Sequence, residues 1–194
     1  MTRIGIIIGS TRPGRNGEKV ARWVQAIAAE HAGETAEFEL IDLQDHQLPL
    51  LDEPVPAART PVQHPHPHTR RFAEHVGFCD AFIFVTGEYN TAPPSSLANC
   101  IDYLYAEWAC KPVAYVGHGI YGAVMAIQKL RAQAGVLRMA DIGPQLALTL
   151  RDDFVAYAEF RPQPPQTPAL HGVIDELLAW THALTPLREP ATIA

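Results

Sequence analysis

The sequence predicts a three-layer α/β sandwich, with a five-stranded parallel sheet in the order 2-1-3-4-5 between two layers of helices. Three observations carry this reading. Apolar runs alternate with helical stripes along the chain. Most of the runs are continuous rather than period-two, so their strands are covered on both faces, as in a parallel sheet under helices. Right-handed crossovers joining five such strands give a doubly wound sheet, for which 2-1-3-4-5 is a natural order. A chain of 194 residues is long enough for one domain with a sizeable core. We expect that domain over residues 1–185 and a tail over 186–194.

Residues 3–9 form the first apolar strand. Val20, Trp23, Val24 and Ile27 then mark one face of a helix over 14–31, and Gly33 supplies its stop. Glu37 to Asp42 alternates like a strand open on one face. Leu48 to Pro67 is proline-rich and reads as loop. Thr69 is positioned to cap a helix over 70–79, with Phe72, Val76 and Cys79 inward. A buried strand covers 80–86. Ser95 or Ser96 caps the next helix, which carries Leu97, Ile101, Leu104, Tyr105 and Trp108. Strand 112–116, a helix from Ile120 to Ala134 and strand 142–150 follow. Residues 161–168 form a second proline-rich connection, before a last helix over 170–184.

Composition excludes several classes. With 47% hydrophobic and 19% charged residues, the chain is too apolar to be mainly disordered. Its net charge of -6 argues against a general nucleic-acid binder, which needs a basic face, but leaves room for one small anion. No apolar run approaches the ~20 residues of a membrane helix, and no signal-peptide pattern is present. Three cysteines without CxxC spacing fit buried thiols in a reducing cytoplasm better than a disulfide framework. His64, His66 and His68 alternate in an extended Pro-His stretch, but lack an adjacent Cys or acidic ligand. They read as surface histidines rather than a metal site. Asp52 and Glu53 read as a solvated loop pair, and no Gly-x-Ser-x-Gly elbow marks a serine hydrolase.

Ligands of a doubly wound sheet bind outside the carboxyl ends of the strands. The loop after the first strand reads Gly9-Ser10-Thr11-Arg12-Pro13-Gly14-Arg15-Asn16-Gly17 and opens a helix. Its glycines permit a tight turn, Ser10 and Thr11 offer hydroxyls, and Arg12 and Arg15 offer charge at a helix start that favours anions. It matches neither the Walker pattern nor GxGxxG, so a single phosphate suits it better than a pyrophosphate. Ser10, Arg12, Arg15 and Asn16 are its candidate ligands.

The loop after the third strand reads Thr86-Gly87-Glu88-Tyr89-Asn90-Thr91-Ala92-Pro93-Pro94-Ser95-Ser96-Leu97-Ala98-Asn99. Backbone N–H groups at Tyr89, Asn90 and Thr91 and the face of Tyr89 suit the polar edge and flat ring of a planar ligand. Taken alone, the loop fits equally well a solvated Glu88 and a Tyr89 packed on the next helix. Here the sequence resembles the NADPH-dependent FMN reductases of the flavodoxin-like superfamily. The flavin loop of that family reads Pro-Glu-Tyr-Asn, a small residue, proline, then Leu-Lys-Asn-x-Ile-Asp. Glu88, Tyr89, Asn90, Pro93 or Pro94, Leu97, Asn99, Ile101 and Asp102 stand in that frame. Gly9, Ser10 and Arg12 resemble its phosphate loop, and His68-Thr69-Arg70-Arg71-Phe72 resembles the start of its second helix. Gly119-Ile120-Tyr121-Gly122, with Ala126 to Arg131, resembles its glycine-rich third loop. The resemblance covers roughly residues 3–150. Gly87, Ala98, Gly117, Arg15 and Gly17 stand where relatives commonly carry proline, lysine, serine, serine and asparagine.

The resemblance implies a flavodoxin-like fold and bound FMN; with the loop chemistry, the candidate FMN-binding residues are Ser10, Arg12, Arg15, Asn16, Glu88, Tyr89, Asn90, Thr91, His118 and Gly119, and a surface role fits His118 equally well. It implies NADPH or NADH as electron donor, and a small-molecule acceptor: a quinone, a flavin, an azo dye or a metal oxyanion. A homodimer or homotetramer is also implied, with flavin near the subunit interface. The cofactor carries the chemistry, so no catalytic side chain is assigned. Two other readings remain: an electron carrier of the same fold, against which Arg12 and Arg15 weigh, and a flavin-binding protein without reductase activity.

Overall fold

A computed structural model describes residues 1–59 and 64–188. Its elements run β1 (Thr2–Ile8), α1 (Gly17–Ala32), β2 (Ala36–Asp42), α2 (Leu43–His46), α3 (Pro67–Gly77), β3 (Ala81–Thr86) and α4 (Ser95–Asp102). They continue with β4 (Pro112–Gly119), α5 (Val124–Val136), β5 (Ala140–Thr149), β6 (Phe154–Val155), β7 (Glu159–Phe160), α6 (Gln166–Ala183) and α7 (Thr185–Arg188). The main sheet is parallel throughout, in the order β2-β1-β3-β4-β5.

Two cores explain the continuous apolar strands. Ile4, Ile6 and Ile8, with Ile83, Val85 and Val116, face α1 and α6. The alternate positions, Ile7, Phe82, Phe84 and Tyr115, face α3, α4 and α5. Period-two pointing with both faces covered yields an unbroken apolar run. The edge strand β5 departs from this and buries only some of its positions. Its pairing with β4 shifts register between Val113 and Tyr115, opposite the stretch holding Pro144. A proline is tolerated at such an edge irregularity.

Several elements differ from expectation. α3 begins at Pro67, with His66 as its N-cap. Thr69 caps nothing; it is fully buried and donates to Glu53. Proline at the first helical position costs no hydrogen bond, because that N–H has no intrahelical partner. α4 ends at Asp102, not near Trp108, and turns follow. Leu104 and Trp108 are nevertheless buried, the latter edge-on to Phe82 with ring centroids 4.9 Å apart. α5 starts at Val124, after the glycine loop. The antiparallel β6–β7 hairpin was not anticipated. Within the expected tail, Thr185–Arg188 form α7, and Arg188 lies 3.7 Å from Asp80 and donates to the Thr181 carbonyl. Residues 189–194 of that tail, and 60–63 of the first proline-rich loop, lie outside the described residues.

Candidate functional site

The loops after β1, β3 and β4 meet at one edge of the sheet. Their strands are neighbours, with Ile8 opposite Val85 and Thr86 opposite Gly117. Ser96, in the first turn of α4, ties two of the loops together by donating to the Gly9 carbonyl at 2.6 Å.

In the first loop Ser10 is buried, and its Oγ lies 3.0 Å from the Tyr89 Oη. The backbone N–H groups of Ser10, Thr11 and Asn16 carry no hydrogen bond among the described residues. The two arginines have different surroundings. Arg15 is enclosed: its guanidinium pairs with Asp42 and Gln44 and lies 3.6 Å from Glu18. Those contacts tie the loop to the end of β2. Arg12 is exposed and its side chain has no partner among the described residues, so its charge is free to meet an anion. Asn16 Nδ2 donates to the Tyr157 carbonyl at 3.1 Å, which docks the β6–β7 hairpin onto this loop.

The second loop is a tight turn. Tyr89 and Ala92 exchange backbone hydrogen bonds around Asn90 at φ 52° and Thr91 at φ 63°. The Tyr89 N–H is therefore used internally, while those of Asn90 and Thr91 are unpaired among the described residues. Tyr89 is 40% exposed and anchored through its hydroxyl. Glu88 is not simply solvated. Its carboxylate accepts from the Ala126 N–H at 3.0 Å, in the first turn of α5. The N-cap there, Ala123, has no side chain to do this, so Glu88 satisfies the helix end from a neighbouring loop.

Glycines shape the third loop. A Cβ on Gly117 would fall 2.1 Å from the Gly122 carbonyl oxygen, and one on Gly122 would fall 2.6 Å from the Ala147 Cβ. His118, at the end of β4, is buried, and its Nε2 is sealed from solvent without a partner among the described residues. Burial lowers its pKa from 6.5 to about 4, so the ring is neutral at physiological pH. A Cβ on Gly17 or on Gly87 would come within 3.2 Å of this ring. Both departures from the family pattern thus make room for the imidazole.

Sequence reasoning missed Asp153 and Tyr157. Asp153 is 1% exposed and accepts from the Thr149 and Gln163 N–H groups and from Gln166 Nε2. It fixes the hairpin to the end of β5. A lone Asp in a loop carries no signal of that role. Among the described residues, no group of three or more His, Cys, Asp or Glu side chains could hold a metal ion. Nor is any helix there long and apolar enough to cross a membrane.

The residues fit a flavin mononucleotide. Unpaired amides and a free arginine at a helix start suit the phosphate. Unpaired amides, an anchored tyrosine and a loop with glycines at three positions suit the ring. Comparisons with known proteins agree. A chain of known fold, the flavoenzyme NAD(P)H:(acceptor) oxidoreductase FerB from Paracoccus denitrificans, superposes with a TM-score of 0.71 over 94% of this chain and 98% of its own, at 21% identity. An NADH:FMN oxidoreductase in apo form also gives 0.71, at 17% identity, over 99% of this chain and 94% of its own. These two establish the flavodoxin-like fold. In sequence, an NAD(P)H-dependent FMN reductase of Schizosaccharomyces pombe is 30% identical over 188 residues, 96% of this chain and 86% of the relative. Another from Nectria sp. is 31% identical over 150 residues, 76% of this chain and 75% of the relative. The family model for NADPH-dependent FMN reductase matches residues 2–152, which include all three loops, and the chain belongs to that family.

Proposed function

We propose that this chain is an FMN-dependent oxidoreductase that takes electrons from NADPH or NADH and passes them to a quinone, flavin, azo or metal-oxyanion acceptor. One observation carries the reading: three adjacent strand-end loops meet at the same edge of the sheet, and the first two present backbone donors there that are unpaired among the described residues. Ser10, Arg12 and the amides of Ser10, Thr11 and Asn16 would hold the phosphate. The amides of Asn90 and Thr91, the Tyr89 ring and the Gly119 loop would hold the flavin ring. Arg15 and Glu88 support these loops from behind, through Asp42 and the start of α5. Bound FMN supplies the hydride-accepting and electron-passing chemistry. The protein binds it, orients it and leaves one ring face accessible, which calls for donor and acceptor to enter in turn. Neutral His118 lies at the loops as a packed ring.

The assembly we propose is a homodimer or homotetramer, as is general for the family, in the cytoplasm. Cys79 and Cys100 are buried thiols that form no disulfide, which supports a reducing compartment. Anaerobic titration tests the function. Purified protein with FMN should bleach its flavin absorbance rapidly on addition of NADPH or NADH. Binding without rapid bleaching would point instead to an electron carrier or an inactive flavin binder, and no FMN binding would sink all three.

A further inference from the structure

Val116 faces α1 and α6, and period-two pointing along β4 sends the His118 side chain to the same side of the sheet. There its Nε2 lies 3.2 Å from the point where a Cβ on Gly17, the first residue of α1, would stand. We propose that His118 is a phosphate ligand of FMN, its Nε2 proton donated to a phosphate oxygen seated at the start of α1. The proposal rests on the flavin reading above and takes His118 from the edge of the flavin ring, where its place in the third loop would put it, to the phosphate.

Three observations meet at this nitrogen. His118 is only 8% exposed, and its Nε2 has no partner among the described residues, an arrangement that folded chains seldom leave without a ligand or a water to complete it. What the nitrogen faces is a set of donors. The first N–H groups of a helix have no intrahelical acceptor, and those of Ser10, Thr11 and Asn16 in the preceding loop are unpaired among the described residues. An unprotonated Nε2 would accept from one of these amides, and none donates to it. An imidazole N–H aimed at other N–H groups is satisfied by an acceptor with several lone pairs set between them, and a phosphate oxygen is such an acceptor. Finally, Gly17 and Gly87 make the room for the ring. A side chain at position 17, such as the asparagine common in relatives, would compete with the imidazole for the same space. The polar side chain at this spot therefore comes from β4 rather than from α1.

Charge agrees with this placement. Burial keeps the empty site's imidazole neutral, so the ring adds a donor without adding a charge beside the positive end of the α1 dipole. A phosphate anion then favours the protonated ring and strengthens the hydrogen bond. The Nε2 is closed to solvent in the empty protein, so loading parts the ring from the α1 start. The first loop has slack for this movement. Its amides at Ser10 and Thr11 are unpaired among the described residues, and a Cβ on Gly14, at φ 71°, would meet no atom within 4 Å. Riboflavin lacks the phosphate and leaves the nitrogen without an acceptor.

Fluorescence titrations of the purified chain with FMN and with riboflavin test the proposal without turnover. His118→Ala should weaken FMN by about tenfold and riboflavin by no more than about twofold. In the parent, the ¹⁵N resonance of His118 Nε2, identified by its loss in the variant, should shift on loading with FMN and hold its position with riboflavin. Equal weakening of both flavins would overturn the proposal, because the imidazole would then serve the flavin ring or the packing of the loops. So would an Nε2 resonance that FMN does not move, a readout taken on the parent and independent of how the variant folds. A parent that binds no FMN removes the flavin reading and this ligand together. A parent that binds FMN but gives either failing result removes the phosphate ligand alone.

Discussion

His118 carries a consequence for pH. Unfolded, its imidazole takes a proton near pH 6.5; folded, it resists until about pH 4 because burial disfavours the charged ring. Between those values the unfolded chain binds more protons, so stability falls as pH drops through the window and levels off below it. The shift corresponds to roughly 3 kcal/mol at most. His46 is shifted the same way, by burial and by neighbouring His75, so the slope of the parent alone does not isolate His118. Urea midpoints of the parent and His118→Gln, compared from pH 4 to 7, do isolate it: the variant should lose much of the acid sensitivity, and parallel curves would refute the assignment. The glycines around this ring were visible in the sequence as departures from a family pattern, at Gly17, Gly87 and Gly117. Their causes were not visible. Only the folded chain shows the imidazole between two of them, and the Gly122 carbonyl where a Gly117 side chain would go.

The β6–β7 hairpin carries a test of backbone strain. Its turn residues, Ala156 and Tyr157, both lie at positive φ, and strain at such positions costs about 1 kcal/mol or more each. Replacing them together by Asn and Gly, which suit this turn, should raise stability by about 1–2 kcal/mol in urea unfolding. A variant no more stable than the parent would mean the turn is not strained. This element also marks the limit of reading periodicity. Two-residue strands are too short to show a pattern, whereas β1 was read as 3–9 and found at Thr2–Ile8. Past α4 the opposite failure occurs. Ile101, Leu104 and Trp108 keep helical spacing into a stretch of turns, because burial in the core with Phe82 and Phe72 dictates apolar residues there whatever the backbone does. The helix start at Pro67 shows why caps are hard to place: Thr69 has the right chemistry, but its hydroxyl goes to Glu53.

At the scale of the molecule, site and fold are coupled through the two arginines, which the sequence presents as equals. Strand order and the three loops could be read from the chain because alternating apolar runs fix where strand ends fall. Which arginine faces a ligand depends on β2 arriving with Asp42 and on α2 with Gln44, a contact across 27 residues that no spacing rule encodes. Unfolding curves should separate them. Arg15→Ala removes the partner of a half-buried carboxylate and should cost about 1–3 kcal/mol in the absence of FMN. Arg12→Ala removes no side-chain hydrogen bond or ion pair among the described residues and should leave that stability within about 0.5 kcal/mol. With FMN at a hundred times its dissociation constant, the parent should gain about 2.7 kcal/mol by mass action. If Arg12 meets the phosphate and its loss weakens FMN tenfold, half of that gain, about 1.4 kcal/mol, disappears at the same FMN concentration. Riboflavin, lacking the phosphate, should stabilise the parent and Arg12→Ala equally. An FMN gain undiminished in Arg12→Ala would place the phosphate elsewhere. The pattern then separates two ways of losing flavin: Arg15→Ala lowers the stability of the empty protein, whereas Arg12→Ala lowers only the increment that a phosphate adds.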